Sequence, residues 1–457
     1  MNVATSAAWR AHARAQRVAV RRALLSVGAI DISDRSTVMS SERMPWDGQP
    51  AATLGIRLRH GNETMSPRRT AATALAIVTA LLIAGVVWSE VAPSHPNGPI
   101  AYVGKGLRAD DRDLFLLDPT TGATRNLTKT PDAYEGSPAW SPDGSKVAFD
   151  RYSFERVRRG VFREIDRLVL MDLATGDQAD PGWCESASCA RDLGWSPDGT
   201  HVALVDVVGG EQVLRAIDVA SGTGIDLCTE AVCGDGLGQP IWSPDGRWVA
   251  VSNVLRVGTT GVAPISGSVW VARSDGSSVQ RLTPEDPSAC PAESSNEGCP
   301  FDVAGSFSPD STEVAFSRYD FSREDRQSTG AFIVSVTTGE IRSLSPCEPG
   351  YCPQTIGPRW SPDGRWITGV AGSGELALGA ATGTASRILD VCSDPRCDDL
   401  EAPVWSPDGS WLAVVDGSTT QLHVIRVDGS DLASFDLQTE SYEPIAWLPP
   451  SDLLTVP

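Results

Sequence analysis

Trp-Ser-Pro-Asp-Gly stands at five places in the chain: Trp140–Gly144, Trp195–Gly199, Trp242–Gly246, Trp360–Gly364 and Trp405–Gly409. An altered copy, Phe307–Ser311, reads Phe-Ser-Pro-Asp-Ser, and a degraded one, Trp447–Ser451, reads Trp-Leu-Pro-Pro-Ser. The aromatic residues of successive copies are 42 to 65 residues apart. A period of this size is typical of a repeat array, so the repeat governs every later step.

Each copy of the motif predicts a tight turn. Proline fixes φ at the second position, aspartate bonds back to nearby backbone, and glycine accepts the positive φ that closes the turn. Short apolar runs follow directly, as in Lys146–Phe149, Arg247–Val251 and Ser410–Val414. These runs predict short buried strands. The turn also explains the motif aspartates without a metal or an acid–base role: Asp143, Asp198, Asp245, Asp310, Asp363 and Asp408.

Two further strands follow in each unit, as in Val269–Ala272, the turn Ser274–Gly276, and Val279–Leu282. Four antiparallel strands repeated around a ring form a β-propeller, which buries both faces of every sheet. The motif aromatics are expected to wedge between neighbouring sheets: Trp140, Trp195, Trp242, Phe307, Trp360, Trp405 and Trp447. The fold class is therefore all-β.

The repeat resembles the TolB-like, WD-repeat-like propeller family. The features that carry the likeness are the motif, the apolar strand after it, and strands ending in Leu-Thr at Asn126–Thr128 and Arg281–Thr283. The likeness covers residues 100–457. Members of this family serve as binding platforms and as accessory domains of peptidases. The resemblance therefore implies a propeller fold and leaves the function to be argued from the site.

The two ends of the propeller region complement each other. Residues 100–128 supply strand-like pieces without a motif, and 445–456 supply a hairpin without the later strands. We therefore expect a ring of seven blades, closed by a blade that both ends share. Ile100–Val103 and Leu453–Val456 compete for one position in that blade, so six blades with trailing ends is the alternative.

The region before the propeller divides into three segments. Residues 1–64 have no globular pattern and are expected to be a basic disordered segment or a mis-annotated start. Residues 65–88 are interpreted as a signal anchor, because 71–88 carry no charge and nearly suffice to span a bilayer as a helix. Arg68 and Arg69 precede the run, so the N-terminus is expected in the cytoplasm and the propeller outside the membrane. A cleaved signal peptide is the alternative, and residues 89–99 form a Pro-rich tether.

The charge distribution argues against nucleic acid as a partner. The formal net charge is −20, although the first 99 residues carry 11 arginines, no lysine and 6 acids. The propeller region is therefore strongly acidic, whereas nucleic-acid affinity depends on lysine and arginine at phosphates. Acidity of this kind indicates solubility, or else attraction to a cationic partner.

All ten cysteines lie in the propeller region and come as sequence neighbours. The pairs predicted as disulfides are Cys184–Cys189, Cys228–Cys233, Cys290–Cys299, Cys347–Cys352 and Cys392–Cys397. Each pair falls in the loop that joins one blade to the next, shortly before a motif aromatic. An even count at equivalent places in an exported chain favours disulfides, and the spacing suits zinc poorly.

The candidate binding surface is the face that carries these cysteine loops and the loops between the second and third strands. Two of the latter are expected to be long, and both begin with Arg-Tyr-x-Phe: Arg151, Tyr152 and Phe154, then Arg318, Tyr319 and Phe321. Loops on rigid scaffolds carry function, and tyrosine and arginine are enriched in binding hot spots. The structural alternative is that these residues cap the blade ends through ring packing and ion pairs.

The chain shows no Gly-x-Ser-x-Gly elbow, no His-Glu-x-x-His helix and no phosphate-binding glycine loop. We therefore expect a non-enzymatic binding module, without a cofactor or metal, that engages a protein or an envelope component. Two alternatives remain at this point. One is a glycan lyase or hydrolase acting at the central funnel. The other is a transmembrane sensor coupled to a cytoplasmic regulator through residues 1–64.

Overall fold

The computed structural model describes residues 97–450, apart from 107–111, 132, 159–160, 185–192, 254, 257–264, 285–300, 320–327, 345–355, 371–374, 384, 392–399, 431 and 438–444. The chain divides into two units between Ala92 and Pro93, and the described residues all belong to the second. Outside the described residues lie the predicted segments 1–64 and 65–88, with the helix about 71–88, and most of the tether 89–99. Within the described part, none of the helices has the length and apolar character needed to span a bilayer.

The described residues form antiparallel strands arranged mostly in fours. The largest sheet holds β1 (Ile100–Lys105), β2 (Arg112–Leu117), β3 (Thr124–Asn126), β4 (Ala133–Trp140), β5 (Lys146–Arg158), β6 (Val161–Asp172), β7 (Gln178–Ala179) and β30 (Ala446–Trp447). It contains two sets of four, β30-β1-β2-β3 and β4-β5-β6-β7. One parallel bridge between Arg112 and Tyr134 joins the two sets.

Five further sheets have four strands each. The first holds β8 (Leu193–Trp195), β9 (His201–Val208), β10 (Glu211–Asp218) and β11 (Gly224–Thr229), followed by the short helix α1 (Glu230–Cys233). The next holds β12 (Ile241–Trp242), β13 (Trp248–Ser252), β16 (Val269–Arg273) and β17 (Val279–Arg281), with β14 (Leu255–Arg256) and β15 (Ile265–Ser266) paired separately.

The remaining three sheets repeat this order. One holds β18 (Phe301–Phe307), β19 (Glu313–Tyr319), β20 (Ser328–Ser335) and β21 (Ile341–Ser343). Another holds β22 (Ile356–Trp360), β23 (Trp366–Val370), β24 (Leu376–Ala380) and β25 (Ser386–Leu389). The last holds β26 (Val404–Trp405), β27 (Trp411–Asp416), β28 (Gln421–Arg426) and β29 (Leu432–Asp436). The all-β prediction is confirmed.

Each sheet buries both of its faces against neighbouring sheets. In β27, Leu412 and Val414 pack toward the sheet before, whereas Ala413 and Val415 pack toward the sheet that begins with β30 and β1. The alternation follows from the two-residue period of a strand. Clusters of the same kind join every consecutive pair of four-strand sets, so that the contacts form a closed cycle. This is the packing of a β-propeller.

The first strand of each set lies innermost. First strands of consecutive sets contact one another: β4 with β8, β8 with β12, β12 with β18, and β18 with β22. Exposure rises toward the last strands, such as β11 and β25, where several side chains are exposed. The axis of the propeller is therefore lined by the strands that precede each motif turn.

The motif turn is held by a serine that the sequence interpretation did not assign. In the first copy, the Ser141 hydroxyl donates to Asp143 at 2.7 Å and accepts the backbone N–H of Lys146 at 2.9 Å. The same donation to the motif aspartate recurs in the other five copies. A hydroxyl both donates and accepts, which explains serine at this buried position. The Thr200 backbone N–H, helped by the hydroxyls of Ser196 and Thr200, lowers the pKa of Asp198 to about 2.

In several copies the motif tryptophan donates a hydrogen bond to the sheet before its own. The Trp195 indole N–H donates to the Ala139 carbonyl at 2.9 Å, and the Trp242 indole N–H donates to the Gly194 carbonyl at 3.0 Å. In both cases the acceptor is the residue directly before the preceding motif aromatic. The predicted wedge between neighbouring sheets is therefore present, and the indole adds a hydrogen bond to its buried area.

The closing set confirms that the two ends of the propeller region share one sheet, since Ile100 pairs with Trp447. The strand Ile100–Lys105 thus occupies the position beside β30, and Leu453–Val456 lie outside the described residues. The register matches that of an intact motif, in which Trp140 pairs with Val147. The Leu448 N–H donates to the Pro99 carbonyl at 2.9 Å, as the Ser141 N–H donates to the Lys146 carbonyl.

The seventh motif is therefore split between the ends. Trp447-Leu448-Pro449 supply its first half, and Asn97-Gly98-Pro99 supply its second half from the other side of the repeat array. Gly98 has φ +79°, and a Cβ there would lie 2.4 Å from the Leu448 carbonyl oxygen, so only glycine fits. The sequence interpretation recognised the degraded copy but not the segment that completes it.

Asn97 and Ser311 stand where the other motifs have glycine, and the side chain of each accepts a hydrogen bond from the backbone of the preceding motif. The Asn97 side-chain oxygen accepts the Asp408 N–H at 3.0 Å, and the Ser311 hydroxyl accepts the Asp245 N–H at 3.0 Å. Each thereby satisfies a backbone donor in the preceding motif. The loss of glycine leaves Ser311 at φ +64°, a strained conformation that this added hydrogen bond offsets.

His423 on β28 makes the stability of the outer part of one sheet sensitive to acid. The ring is 5% exposed, and Nδ1 lies 2.8 Å from the Ser434 hydroxyl. Burial lowers the pKa of His423 below its usual 6.5, and the Asp416 carboxylate acts in the opposite direction. Below about pH 6.5 the unfolded chain therefore binds more protons at this residue than the folded chain does.

We expect the free energy of unfolding to fall with decreasing pH below about 6.5, by up to about 1.4 kcal/mol per pH unit from this residue. Denaturant titrations of wild type and His423→Gln between pH 5 and pH 8 measure the difference. His423→Gln should flatten the profile. Identical slopes for wild type and His423→Gln would contradict the assignment.

Candidate functional face

The propeller has two chemically different faces. On one face the motif turns adjoin: the backbone of Gly199 lies beside the Pro142 ring, and Gly409 lies beside the Pro362 ring. On the other face lie the loops between second and third strands and the cysteine loops. The Gln212 N–H, at the start of β10, donates to the Glu230 carboxylate of the cysteine loop at 3.0 Å, which places both loop types together. We call this second surface the loop face.

The two arginines of the predicted binding set are held by buried carboxylates. Arg151 donates to Glu135 through Nε at 3.0 Å and Nη2 at 2.5 Å, and the Glu135 carboxylate is fully buried. Burial raises the pKa of Glu135, whereas hydrogen bonds from Thr128 and the charge of Arg151 act to lower it. The pair lies across β4 and β5, where the two residues are register partners.

Arg318 repeats this arrangement across β18 and β19. It donates to Asp302 through Nε at 2.7 Å and Nη2 at 2.8 Å, and the Asp302 carboxylate is 3% exposed. Its guanidinium also lies over the rings of Phe316 and Phe332, at 5.5 and 5.2 Å from their centroids. Both arginines thus have a structural role at the loop-face end of the inner strands. Their acidic partners, each five residues before the motif aromatic, were not identified from the sequence.

The aromatic members of the predicted set differ in how much the structure describes. Tyr319 stacks on Phe301 with ring centroids 4.7 Å apart, and burial raises its pKa. Tyr152 is half-buried at the register position opposite Tyr134. The side chain of Phe154 and the whole of Phe321 lie outside what the structure describes. A binding role for these residues stays a prediction.

The long loop expected after Arg151 is instead a strand ribbon. β5 and β6 remain paired as far as Arg158 opposite Val161. Their sheet neighbours end earlier, since β4 reaches only Ser153. Residues 154–158 and 161–164 therefore pair only with each other and form a two-stranded extension.

This ribbon is locally cationic on an acidic domain. Residues 154–164 hold four arginines and two glutamates, whereas the whole chain has a formal net charge of −20. A local excess of positive charge on such an element steers and orients an oppositely charged partner. The sequence analysis singled out only the Arg-Tyr-x-Phe start of this segment.

The cysteine loops are partly described. Cys228 and Cys233 form a disulfide across α1, and both are buried. Cys184 is also disulfide-bonded, and no free cysteine occurs among the described residues. Cys189 and the pairs Cys290–Cys299, Cys347–Cys352 and Cys392–Cys397 lie outside the described residues. The disulfide interpretation over zinc is confirmed for Cys228 and Cys233.

Val232 stands exposed in the disulfide-bonded loop. Its side chain is 51% exposed, although it belongs to a loop whose ends are both fixed by buried sulfur. An apolar side chain on a rigid exposed loop costs little entropy to bury against a partner. The residue gave no sequence signal beyond its place between two cysteines. It follows the last strand of the β8–β11 sheet, which packs against the set of strands that carries the cationic ribbon.

Among the described residues, no group of three or more His, Cys, Asp or Glu is arranged to hold a metal ion. The motif aspartates are engaged in their own turns, as the sequence predicts. Among the described residues, the loop face presents aromatic rings, the arginine-rich ribbon and an exposed valine in a disulfide-bonded loop.

Comparison with known proteins bears on the fold. No protein-family model matches the sequence. An uncharacterised protein of Agrobacterium fabrum is 28% identical over 295 residues, which are 55% of this chain and 89% of the relative. TolB from Acinetobacter baumannii superposes with a TM-score of 0.45 at 18% identity, covering 85% of this chain and 74% of TolB. A prolyl endopeptidase superposes with a TM-score of 0.51 at 14% identity, covering 79% of this chain and 50% of the peptidase.

Identity this low shows the fold alone, and the chain spans half of the peptidase. The identification depends on features of the chain itself: the recurrent Trp-Ser-Pro-Asp-Gly turn, the four-stranded sheets and the sheet shared by its ends. By these features the chain has the fold of the TolB-like β-propeller family.

Proposed function

We propose that this protein is a membrane-anchored, extracytoplasmic binding module whose loop face engages a protein or another component of the cell envelope. The observation that carries the proposal is the asymmetry of the two faces. The motif face consists of near-identical turns, whereas the loop face carries the cationic ribbon, the disulfide-bonded loops and exposed Val232. Variable elements on a uniform scaffold are where binding proteins carry their specificity.

We infer that the scaffold has seven blades. Six copies of the motif turn and a seventh completed by Asn97–Pro99 support this number. The cycle of hydrophobic clusters supports it as well, since each cluster joins two consecutive sets of four strands. A rigid closed ring would hold the loops of the binding face at fixed separations.

The extracytoplasmic location and the anchor rest on sequence and on cysteine chemistry. Residues 71–88 are uncharged and follow two arginines, which favours a signal anchor with the propeller outside. The disulfide between Cys228 and Cys233 favours an oxidising compartment. The glycan lyase or hydrolase alternative and the sensor alternative have no comparable support among the described residues.

The partner can be captured by cross-linking in intact cells, with a photoreactive residue placed at Val232 on the loop face. A matched probe at Ser277, in an exposed turn beside the motif face, serves as the control. We expect a specific adduct from Val232 and none from Ser277. Equal adducts from both sites, or adducts only from Ser277, would contradict a binding role of the loop face.

Val232→Asp tests the same face without disturbing the fold. We expect capture of the identified partner to weaken by about tenfold or more, because a charge would be buried in the interface. The melting temperature should stay within about 1 °C of wild type, since surface changes usually alter stability little. Ile388→Asp, at an equally exposed apolar position on the outer strand β25, is the matched control and should bind normally. Unchanged capture by Val232→Asp would remove this residue from the interface.

A further inference from the structure

Arg359 is a charged residue on an innermost strand without a charged partner. It lies on β22, directly before the motif tryptophan Trp360. Its Nη1 donates to the Gly305 carbonyl on the neighbouring first strand β18 at 3.1 Å. Its Nε is buried and has no acceptor, and no carboxylate of the described residues reaches ion-pair distance from the guanidinium. The residue is partly exposed, and its strand is one of those that line the axis of the propeller.

Three partly buried arginines of the described chain are paired with carboxylates. Arg151 pairs with Glu135, Arg318 pairs with Asp302, and Arg215 contacts Asp226 at 3.0 Å and Asp206 at 3.5 Å. Arg112 lacks a carboxylate partner, but its guanidinium lies over the Tyr134 ring at 5.6 Å from the centroid. Arg359 has neither kind of partner among the described residues, even though acids outnumber bases by 58 to 38 in the sequence.

The lack of a charged partner is energetically costly. Withdrawing a cation from water is unfavourable unless an opposite charge compensates it. Burial lowers the pKa of Arg359, but arginine stays protonated at physiological pH. One carbonyl contact satisfies one of its five N–H donors and none of its charge. The remaining donors require acceptors, and the charge requires an anion.

The position is specific to one repeat. The residues directly before the other motif aromatics are small, apolar or uncharged: Ala139, Gly194, Ile241, Ser306, Val404 and Ala446. At the same junction, the Trp360 indole N–H is also buried without an acceptor. The Trp140 indole N–H also lacks an acceptor, whereas those of Trp195, Trp242 and Trp405 bond to a carbonyl of the preceding sheet. Two adjacent residues of β22 thus both have unused donors.

We propose that Arg359 forms an anion-binding site at the axis of the propeller, and that its ligand is a carboxylate of a small molecule or of a short chain end. A guanidinium binds a carboxylate through two parallel hydrogen bonds. A single positive charge matches a carboxylate, whereas a phosphate monoester would bring excess negative charge into an acidic domain. The site lies at the inner strands and is independent of the partner surface on the loop face.

Binding of model carboxylates to the full-length protein tests the proposal. The probes are N-acetylglycine, which represents a peptide end, and glucuronate, which represents an acidic sugar. Their neutral controls are N-acetylglycinamide and glucose. We expect wild type to bind at least one of the acids and neither control by calorimetry. The acid that binds more tightly identifies the source of the carboxylate.

Arg359→Met should weaken binding of that acid by about 10- to 100-fold, since a charge-assisted bidentate contact is lost. Arg359→Lys keeps the charge but lacks the planar guanidinium, so its affinity for the acid should lie between those of wild type and Arg359→Met. Arg387→Met, on the outer strand of the same sheet, removes the same charge and should bind as wild type. Arg359→Met should also melt no lower than wild type, because an uncompensated charge is replaced by an apolar side chain.

The proposal is overturned if wild type binds neither acid at millimolar concentration, or if Arg359→Met binds the acids as wild type does. A marked drop in melting temperature for both Arg359→Met and Arg359→Lys, with acid binding retained, would assign Arg359 to the fold instead. Capture of the loop-face partner should be the same in wild type and Arg359→Met. That readout separates failure of this site from failure of the loop face.

Discussion

Replacing Arg318 with methionine is expected to lower the free energy of unfolding by about 3–5 kcal/mol, because it leaves the Asp302 carboxylate buried and unpaired. Asp302 is 3% exposed and receives two hydrogen bonds from this one side chain. The guanidinium also covers two phenylalanine rings, so its removal costs packing as well. Urea or guanidinium titration of the purified protein measures the loss.

Two controls separate the buried charge from other effects. The double variant Asp302→Leu/Arg318→Met removes both charges and should recover most of the lost stability. Lys146→Met breaks an ion pair with Asp172 whose side chains are each 36% exposed, and it should cost far less than Arg318→Met because solvent screens the exposed charges. If Arg318→Met were as mild as Lys146→Met, the pair would not be a structural element. Arg318 would then again be a candidate for binding a partner.

Replacing Trp447 with alanine is expected to cost about 3–5 kcal/mol and to open the closing sheet. Trp447 is 8% exposed, packs in the cluster that joins the last sheet to the first, and donates its indole N–H to the Gly98 carbonyl at 3.2 Å. Its loss removes both the wedge and the bond that holds the second half of the split motif. Denaturant titration measures the loss of stability, and hydrogen exchange shows which strands open.

Exchange should accelerate most in β1 and β28, which the cluster joins, and least in β13 on a distant sheet. Trp447→Phe keeps most of the buried ring but not the hydrogen bond, so it should cost roughly 1 kcal/mol. Uniform acceleration across the propeller would mean that the sheets open as one cooperative unit. The pairing of β30 with β1 would then contribute no more to the stability of the propeller than other contacts do.

The sequence predicted the scaffold well because its turn chemistry is local. Proline, aspartate and glycine at fixed offsets determine a turn wherever they recur, and the apolar run after each turn determines the strand. The shared closing sheet was also predictable, since each end lacked what the other end supplied. The split motif was not, because Asn97 and Asp408 are far apart in sequence and their hydrogen bond has no local pattern.

The candidate site was less predictable for a similar reason. Arg151 and Arg318 looked available until the fold placed Glu135 and Asp302 opposite them. The ribbon of β5 and β6 looked like a loop because its residues lack the apolar alternation of a buried strand. Arg359 carried no signal at all, since the absence of a partner is visible only in three dimensions.

The split motif has a consequence for biogenesis. Ile100–Lys105 are synthesised before the sheets that follow them, and their inner neighbour Ala446–Trp447 is synthesised only after those sheets. The loop that this pairing closes is long, and contacts of such separation form slowly. The closing sheet can therefore form only after the sheets between its two ends have been synthesised. Until then β1 has an unpaired edge, which exposes the nascent domain to pairing with other chains.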